Sequence, residues 1–452
     1  MDNGFSKAAV SQRRRIAVVG SGISGLSAAW LLGRNADVVL FEGERRPGGH
    51  ANTVTANVRD REVVVDTGFI VYNDRNYPNL VALFDNLKVP TLASNMSFSA
   101  SLDSGAFEYS GSGLKGLLGQ KSNLLRPRFW SMVSDVMRFY KEAPGLLDRP
   151  ELADASLGEY LASSRYSASF IEDHLLPMGA AIWSTTAREM RLYPLHAFIR
   201  FFANHGLLSL DNRPRWRTVA GGSREYVKRL LDDFSGELRL GRPVRRIRRD
   251  ASGIELTDGR GHVDRFHDVV IATHADDALG LLADADDLER ETLGAFQYTP
   301  NVAVLHSDPR LMPKRRQVWS SWNYMADQGE DGSKALCVTY WMNRLQSLDP
   351  ETPLFVTLNP GREIDPKHVI RSFDYRHPLF DLKANAAQRR LLQLQGRHHT
   401  WFCGAYFGNG FHEDGLQAGL AVAEALGGLH RPWNIENESG RIDHLRQREA
   451  AE

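Results

Sequence analysis

Cysteine is nearly absent from this chain: Cys337 and Cys403 are the only two in 452 residues. Two thiols so far apart exclude a disulfide scaffold and point to a reducing compartment, the cytoplasm. Neither has metal-ligand spacing, and the pair His398-His399 has no cysteine or carboxylate cluster beside it, so no metal is expected. Excess charge is missing too. Lys+Arg and Asp+Glu both number 55, a net charge of zero. No global field draws the chain to nucleic acid or to an anionic membrane, and any such attraction must be local. No internal repeat or low-complexity tract occurs. The most apolar run, Ile16 to Gly33, follows Arg13-Arg14-Arg15 like a signal or membrane segment, but three glycines and two serines in its first half do not suit a stable span. The polar ends, Met1 to Gln12 and Asn437 to Glu452, are expected to be mobile.

That same run reads better as a strand, a glycine turn and a helix start. Gly20, Gly22 and Gly25 have the G-x-G-x-x-G spacing: a tight turn, a close approach to pyrophosphate, and close packing of helix on strand. Pyrophosphate would sit beside Ser21 at the helix start near Ser24, where free N–H groups and the dipole favour an anion. A second strand, Asp37 to Phe41, ends at Glu42, about 20 residues on, where a carboxylate would meet the ribose hydroxyls. This much fits NAD or FAD. The Gly48-Gly49-His50 turn and the stretch Val63-Val64-Val65-Asp66-Thr67-Gly68 resemble the pyrophosphate loop and the flavin-side Asp-x-Gly of the FAD-binding amine oxidase and phytoene desaturase superfamily. Arg is usual there after the glycine pair, where this chain has His50. The resemblance implies FAD.

Several segments are similar to the N-terminal flavoprotein domain of plant cyclopropane fatty acid synthases and its free-standing bacterial relatives. They include Met96-Ser97-Phe98, Ile182-Trp183-Ser184, Trp216 to Gly221, Cys337 to Trp341 and Trp401 to Gly419. The methyltransferase domain of the plant proteins is absent, which leaves a lipid methyltransferase as a partner in trans. The implied fold is α/β and amine oxidase-like: a Rossmann-like FAD-binding domain with an inserted substrate domain of β-sheet and helical cap. Residues 15–75, 215–285 and 396–436 would form the FAD domain, 76–214 the capped substrate domain and 286–395 its sheet, with 1–14 and 437–452 as tails.

The resemblance also implies the remaining site residues. Val244 would meet adenine through its backbone, and Thr273 ends a strand beside the cofactor. Gly404 and Ala405 turn toward the ring, and Asp414, Gly415, Leu416 and Gln417 open a last helix from Gly415 to Leu426. The N–H groups of Leu416 and Gln417 would stabilise reduced flavin at its N1/C2=O edge. His412, Glu413 and Tyr406 are the candidates for catalysis, with helix capping as the alternative for Glu413 and Asp414. Leu416 stands where amine oxidases are read to carry a cage aromatic, which favours an apolar substrate over an amine. No lysine is found for flavin N5. The expected activity is hydrogen transfer on unsaturated or methylated acyl chains. Amine oxidation, redox-neutral double-bond isomerisation and a non-catalytic partner role stay open. Basic and bulky apolar residues interleave in Gly111 to Leu147 and in Leu311 to Trp319, which suits peripheral contact with an anionic membrane.

Overall fold

The computed structural model describes residues 13–209, 213–326 and 337–442. A strand at Arg15–Val19 lies at the centre of a five-stranded parallel sheet. Asp37–Phe41 and then Glu237–Arg239 lie on one side of it, Asp268–Ile271 and then Thr400–Phe402 on the other. The inner strands Arg15–Val19, Asp37–Phe41 and Asp268–Ile271 are short and mostly apolar because both their faces are covered, as parallel sheets require. Helix Ile23–Leu32 follows the first strand and is buried along its whole length. The last helix, His412–Gly427, lies against it. N- and C-terminal segments therefore share one core.

A seven-stranded sheet forms the second layer. Its order runs from edge strand Val369–Leu379 through Gln297–His306, Phe355–Leu358, Cys337–Trp341, Trp322–Ala326 and Phe98–Leu102 to Phe107–Ser110. All pairs are antiparallel except Trp322–Ala326 with Phe98–Leu102. Along Val369–Leu379 the odd residues Arg371, Phe373, Tyr375 and His377 share one face, the strand period of two. Between residues 113 and 205 the chain is largely helical, with its own apolar cluster built on Phe139, Phe170, Trp183, Phe198 and Phe202. Ser156 caps Leu157–Ser163 in a reciprocal box with Glu159. The Met190–Leu195 stretch closes under it through Leu157 N–H to Tyr193 O.

Packing departs from the expected boundaries in three places. Helix Pro78–Asn86 puts Leu80, Leu83 and Phe84 into the core of the parallel sheet rather than the substrate layer. Ala384, Ala387, Leu391 and Leu394 do the same. Residues 437–442 are packed, with Ile442 buried and Arg441 paired to Asp414. Their neighbours 443–452, like 1–12, lie outside the described residues.

Candidate functional site

One cavity of about 1340 Å³ runs from the glycine turn, over the end of the parallel sheet, to the seven-stranded sheet and the helical cap. It exceeds the roughly 300–1,000 Å³ of an ordinary small-ligand pocket, so one occupant need not fill it. At the first end its wall is Gly20, Ser21, Gly22, Ser24, Glu42, Gly48, Gly49, His50, Gly68 and Thr273, and Gly404, Ala405, Tyr406 and His412 come from the other end of the chain. Gly20 has φ +100°, and a Cβ there would press on Ala272 O at 2.9 Å. A Cβ on Gly22 would meet no protein atom within 4 Å, so that α-carbon faces open cavity. Glu42 holds the turn by accepting from Ser21 N (2.9 Å) and Oγ (2.5 Å). Arg46 donates to Gly49 O and brings a positive charge to the same wall.

The wall carries buried polar atoms with no hydrogen-bond partner among the described residues: His50 Nε2, His274 Nδ1, His377 Nδ1, His205 Nε2 and Tyr406 Oη. Burial and neighbouring histidines hold His50 well below the usual histidine range, and burial takes His377 to about 4. His412 stacks on Phe69 at 3.7 Å between centroids, lies 3.1 Å from Tyr226 Oη through Nε2, and is held by burial at about 3. Burial pushes the Tyr406 phenol far up. These groups are neutral at pH 7, able to share a hydrogen bond with an occupant and unable to bring a charge. His274, Asp276 and Asp277 converge closely enough for a cation, but Arg376 is bonded to both carboxylates.

Eight expected site residues lie off this wall. Gly25 packs its α-carbon on Gly20 O, and Val244 is buried at a strand start. Asp66 accepts from Ser223 N, Ser223 Oγ, Thr53 Oγ1 and Gln346 Nε2, joining three segments behind the cavity. Desolvation raises its carboxyl to about 6 in spite of these donors. Glu413 accepts from Asn79 N (3.0 Å), Leu80 N (3.0 Å), Asn79 Nδ2 (2.8 Å) and Gln417 Nε2 (2.8 Å). It caps helix Pro78–Asn86 and faces away from the cavity. Asp414 caps its own helix through Phe411 N and pairs with Arg441.

Gly415, Leu416 and Gln417 are displaced for one reason: the last helix begins at His412, three residues before the expected start. Its first-turn N–H groups are those of His412, Glu413 and Asp414, while Leu416 and Gln417 lie a turn deeper. Leu416 is fully buried in the sheet core. The aromatic shown to the cavity at the helix head is Phe411, stacked on Phe201 at 4.8 Å. Leu416 therefore does not bear on whether an amine fits the cavity. Phe411 was visible as the last residue before the acidic helix start. Tyr375 and His377 were visible as alternating positions in Phe373-Asp374-Tyr375-Arg376-His377, and their signal was missed. Phe69, Trp183 and His205 also line the cavity; Trp183 stands in a segment that carries the resemblance, without a role read from it, and nothing local in the sequence marks the other two.

The substrate end is walled by Phe98, Tyr109, Tyr140, Met178, Ile182, Trp183, Phe201, Trp322, Tyr340 and Phe380. Among the described residues the only acids on the whole wall are Glu42, Glu44, Asp277 and Asp374, and no lysine lines it.

Residues 23–426 match the family model for flavin containing amine oxidoreductases. AofH of Mycobacterium tuberculosis, named as a flavin-containing monoamine oxidase, is 24% identical over 368 residues, 79% of this chain and 73% of its own. Among solved structures, a putrescine oxidase variant superposes with a TM-score of 0.64 at 14% identity, covering 91% of this chain and 98% of that one. A CLA-producing fatty acid isomerase from P. acnes gives 0.63 at 15% identity, over 92% and 99%. The open face of Gly22 and the unpartnered polar atoms along the wall suit the dinucleotide that such proteins hold. With glycine turn, cavity and matched segment in agreement, the chain belongs to the flavin-containing amine oxidoreductase family, as an oxidoreductase whose cofactor is FAD.

Proposed function

We propose that this oxidoreductase acts on an unsaturated or methylated acyl chain. The observation that carries the reading is the substrate end of the cavity: predominantly aromatic and aliphatic, without a lysine, and with Arg213, Arg344 and Arg371 on the wall against the single carboxylate of Asp374. A desolvated amine cation needs a compensating charge, whereas an acyl chain gains from each apolar wall atom it covers.

Glu42 would hold the adenosine end of FAD, Gly20, Ser21, Gly22, Ser24, Gly48 and Gly49 its pyrophosphate, and Gly68, Thr273, Gly404, Ala405 and the head of the last helix its flavin. FAD bound there supplies a hydride acceptor. The chain's own residues orient the acyl chain between Trp183, Phe201, Phe411 and Tyr340 and exclude water. Proton handling falls to neutral wall groups. The Tyr406 hydroxyl is free to donate, and His205 faces the cavity through a bare Nε2 while Nδ1 bonds Phe201 O. His412 shares its Nε2 with Tyr226 and serves better as a rigid part of the cavity wall.

The surface formed by residues 114–130 supports docking on a membrane. Leu114 is 76% exposed, Leu125 88% and Trp130 50%, among Lys115 and Lys121, which have no ion-pair partner among the described residues. Gly111, Ser112 and Gly113 line the cavity immediately before Leu114, so the exposed apolar patch adjoins an opening. The second expected patch lends no support: Leu311, Met312 and Val318 are buried, and Arg315 pairs with Glu108.

Amine oxidation is the second reading, and Phe411 on Phe201 favours it as an aromatic contact for a cation. Anaerobic mixing of the yellow holoprotein with oleoyl lipids and, separately, with simple amines distinguishes the readings. Lasting flavin bleaching by acyl substrate supports net oxidation. Shifted double bonds without bleaching support an isomerase. Bleaching by amines alone overturns the acyl reading, and no response at all leaves a partner role beside a lipid methyltransferase.

A further inference from the structure

The cavity wall contains an arginine with no acid to answer it. Arg344 lies on the short helix Met342–Leu345, directly after strand Cys337–Trp341. Its side chain has one protein partner, Trp319 O at 3.1 Å through Nη1, and no carboxylate pairs with it among the described residues. Burial lowers its pKa. A partly desolvated guanidinium held without a counter-charge is costly, and Arg344 has four N–H donors left for an occupant.

Its surroundings form one rim of the cavity. Ser94 Oγ bonds Leu345 O at 2.7 Å, Ser321 Oγ bonds Asn95 O at 2.5 Å, and Trp322 N bonds Ser97 O at 2.9 Å. The loop 94–97 is thus tied to the turn that carries Arg344, and Asn95, Ser97, Trp322 and Arg344 all line the cavity. The Trp322 indole N–H is buried and has no acceptor. Gly111 N bonds Phe98 O, which sets this rim beside the opening at Gly111–Gly113 and the exposed Leu114. Behind the rim the wall turns apolar at Phe98 and Tyr340, the latter paired in register with Trp322.

We propose that Arg344, with the Trp322 indole N–H, is the receptor for the anionic head of the substrate at the cavity mouth, a carboxylate or a phosphate, and that the acyl tail enters behind it. The inference rests on the acyl reading given above and names its head-group chemistry. It makes Arg344 a specificity residue: a charge-assisted hydrogen bond to the head fixes how far the tail reaches toward the ring.

The test uses FAD-loaded wild type, Arg344→Gln and Arg344→Lys, with equal flavin content and melting temperature as the condition for comparison. Each is titrated with oleate below its micelle concentration, with methyl oleate, and with phosphatidylcholine vesicles with and without phosphatidylglycerol, and flavin absorbance is read. Arg344→Gln is expected to weaken oleate binding tenfold or more, leave methyl oleate within twofold, and flatten the salt dependence. Arg344→Lys is expected to recover part of the loss. If only phosphatidylglycerol vesicles lose their effect in Arg344→Gln, the head is a phosphate and the site stands. Oleate and phosphatidylglycerol responses both unchanged in Arg344→Gln overturn the site while the acyl reading survives. A wild type that answers amines and none of the lipids removes both.

Discussion

Glu413 shows how a titratable residue beside a cofactor site can be occupied with structure. Two of its four donors are the N–H groups of Asn79 and Leu80 in the first turn of helix Pro78–Asn86, where a carboxylate also meets the positive end of the helix dipole. Glu413→Gln places an amide NH₂ against one of those N–H donors and removes the charge. The expected cost is about 1–3 kcal/mol, read as a lower melting temperature, with turnover per bound FAD within about twofold. A hundredfold loss of turnover at unchanged melting temperature would restore Glu413 as the base. The sequence displayed the triplet His412-Glu413-Asp414 plainly, but not which way each side chain points. A helix turns 100° per residue, so a three-residue error in its start reassigns every face. The glycine turn was legible because its residues act through their backbone, and no rotation of a side chain alters them.

The crossing of helices Ile23–Leu32 and His412–Gly427 is the element that joins the chain's two ends. Gly415 and Gly419, one turn apart, lie over Ser24 and Ser27. A Cβ on Gly415 would be 2.7 Å from Ser24 Oγ, and one on Gly419 would strike the Ser24 carbonyl. Backbone cannot yield as a side-chain tip can, so Gly419→Val is expected to separate the helices, lower the melting temperature and release FAD, since Ser24 also lines the cavity. Ala425→Val, on the exposed side of the same helix, is the control and should cost no more than the propensity difference, under about 1 kcal/mol. Retention of FAD and stability in Gly419→Val would show that this crossing does not hold the site. At this scale the sequence was informative wherever periodicity was strong. Strands Arg15–Val19 and Asp268–Ile271 read as apolar runs, and Leu157–Ser163 was marked by its cap. What it withheld was partnership: nothing local tells that Leu80 and Phe84 turn to the parallel sheet, because an amphipathic helix names its buried face and not what covers it.

Acid should undo the whole molecule before it undoes the chemistry. His174, His205 and His306 are buried, and burial holds them at about 4, 3 and 4. Unfolded, each would titrate near 6.5. Between those values the unfolded chain binds protons that the folded chain refuses, so stability falls as pH drops below 6.5 and goes on falling to the folded pKa. At pH 5 the shortfall is about 2 kcal/mol for each residue, and three together take a large share of a fold stable by roughly 5–15 kcal/mol. Asp66 works in the opposite sense. Its folded carboxyl, raised to about 6, keeps a proton that the unfolded chain releases above the ordinary aspartate range, so this single group loses stability as pH rises through 4–6. One such group does not offset three. The urea midpoint of the holoprotein is therefore expected to fall steeply from pH 7 to pH 5, with FAD fluorescence appearing in the same transition. His306 separates this cause from cofactor loss, because it lies off the cavity, bonded through Nε2 to Thr357 Oγ1 at 2.7 Å and accepting from Asp308 N. His306→Gln should lower the midpoint at pH 7 and make its decline toward pH 5 shallower by one histidine's share, about 2 kcal/mol at pH 5. A midpoint flat between pH 7 and 5, or a slope that His306→Gln leaves unchanged, would show that these histidines do not set the acid limit.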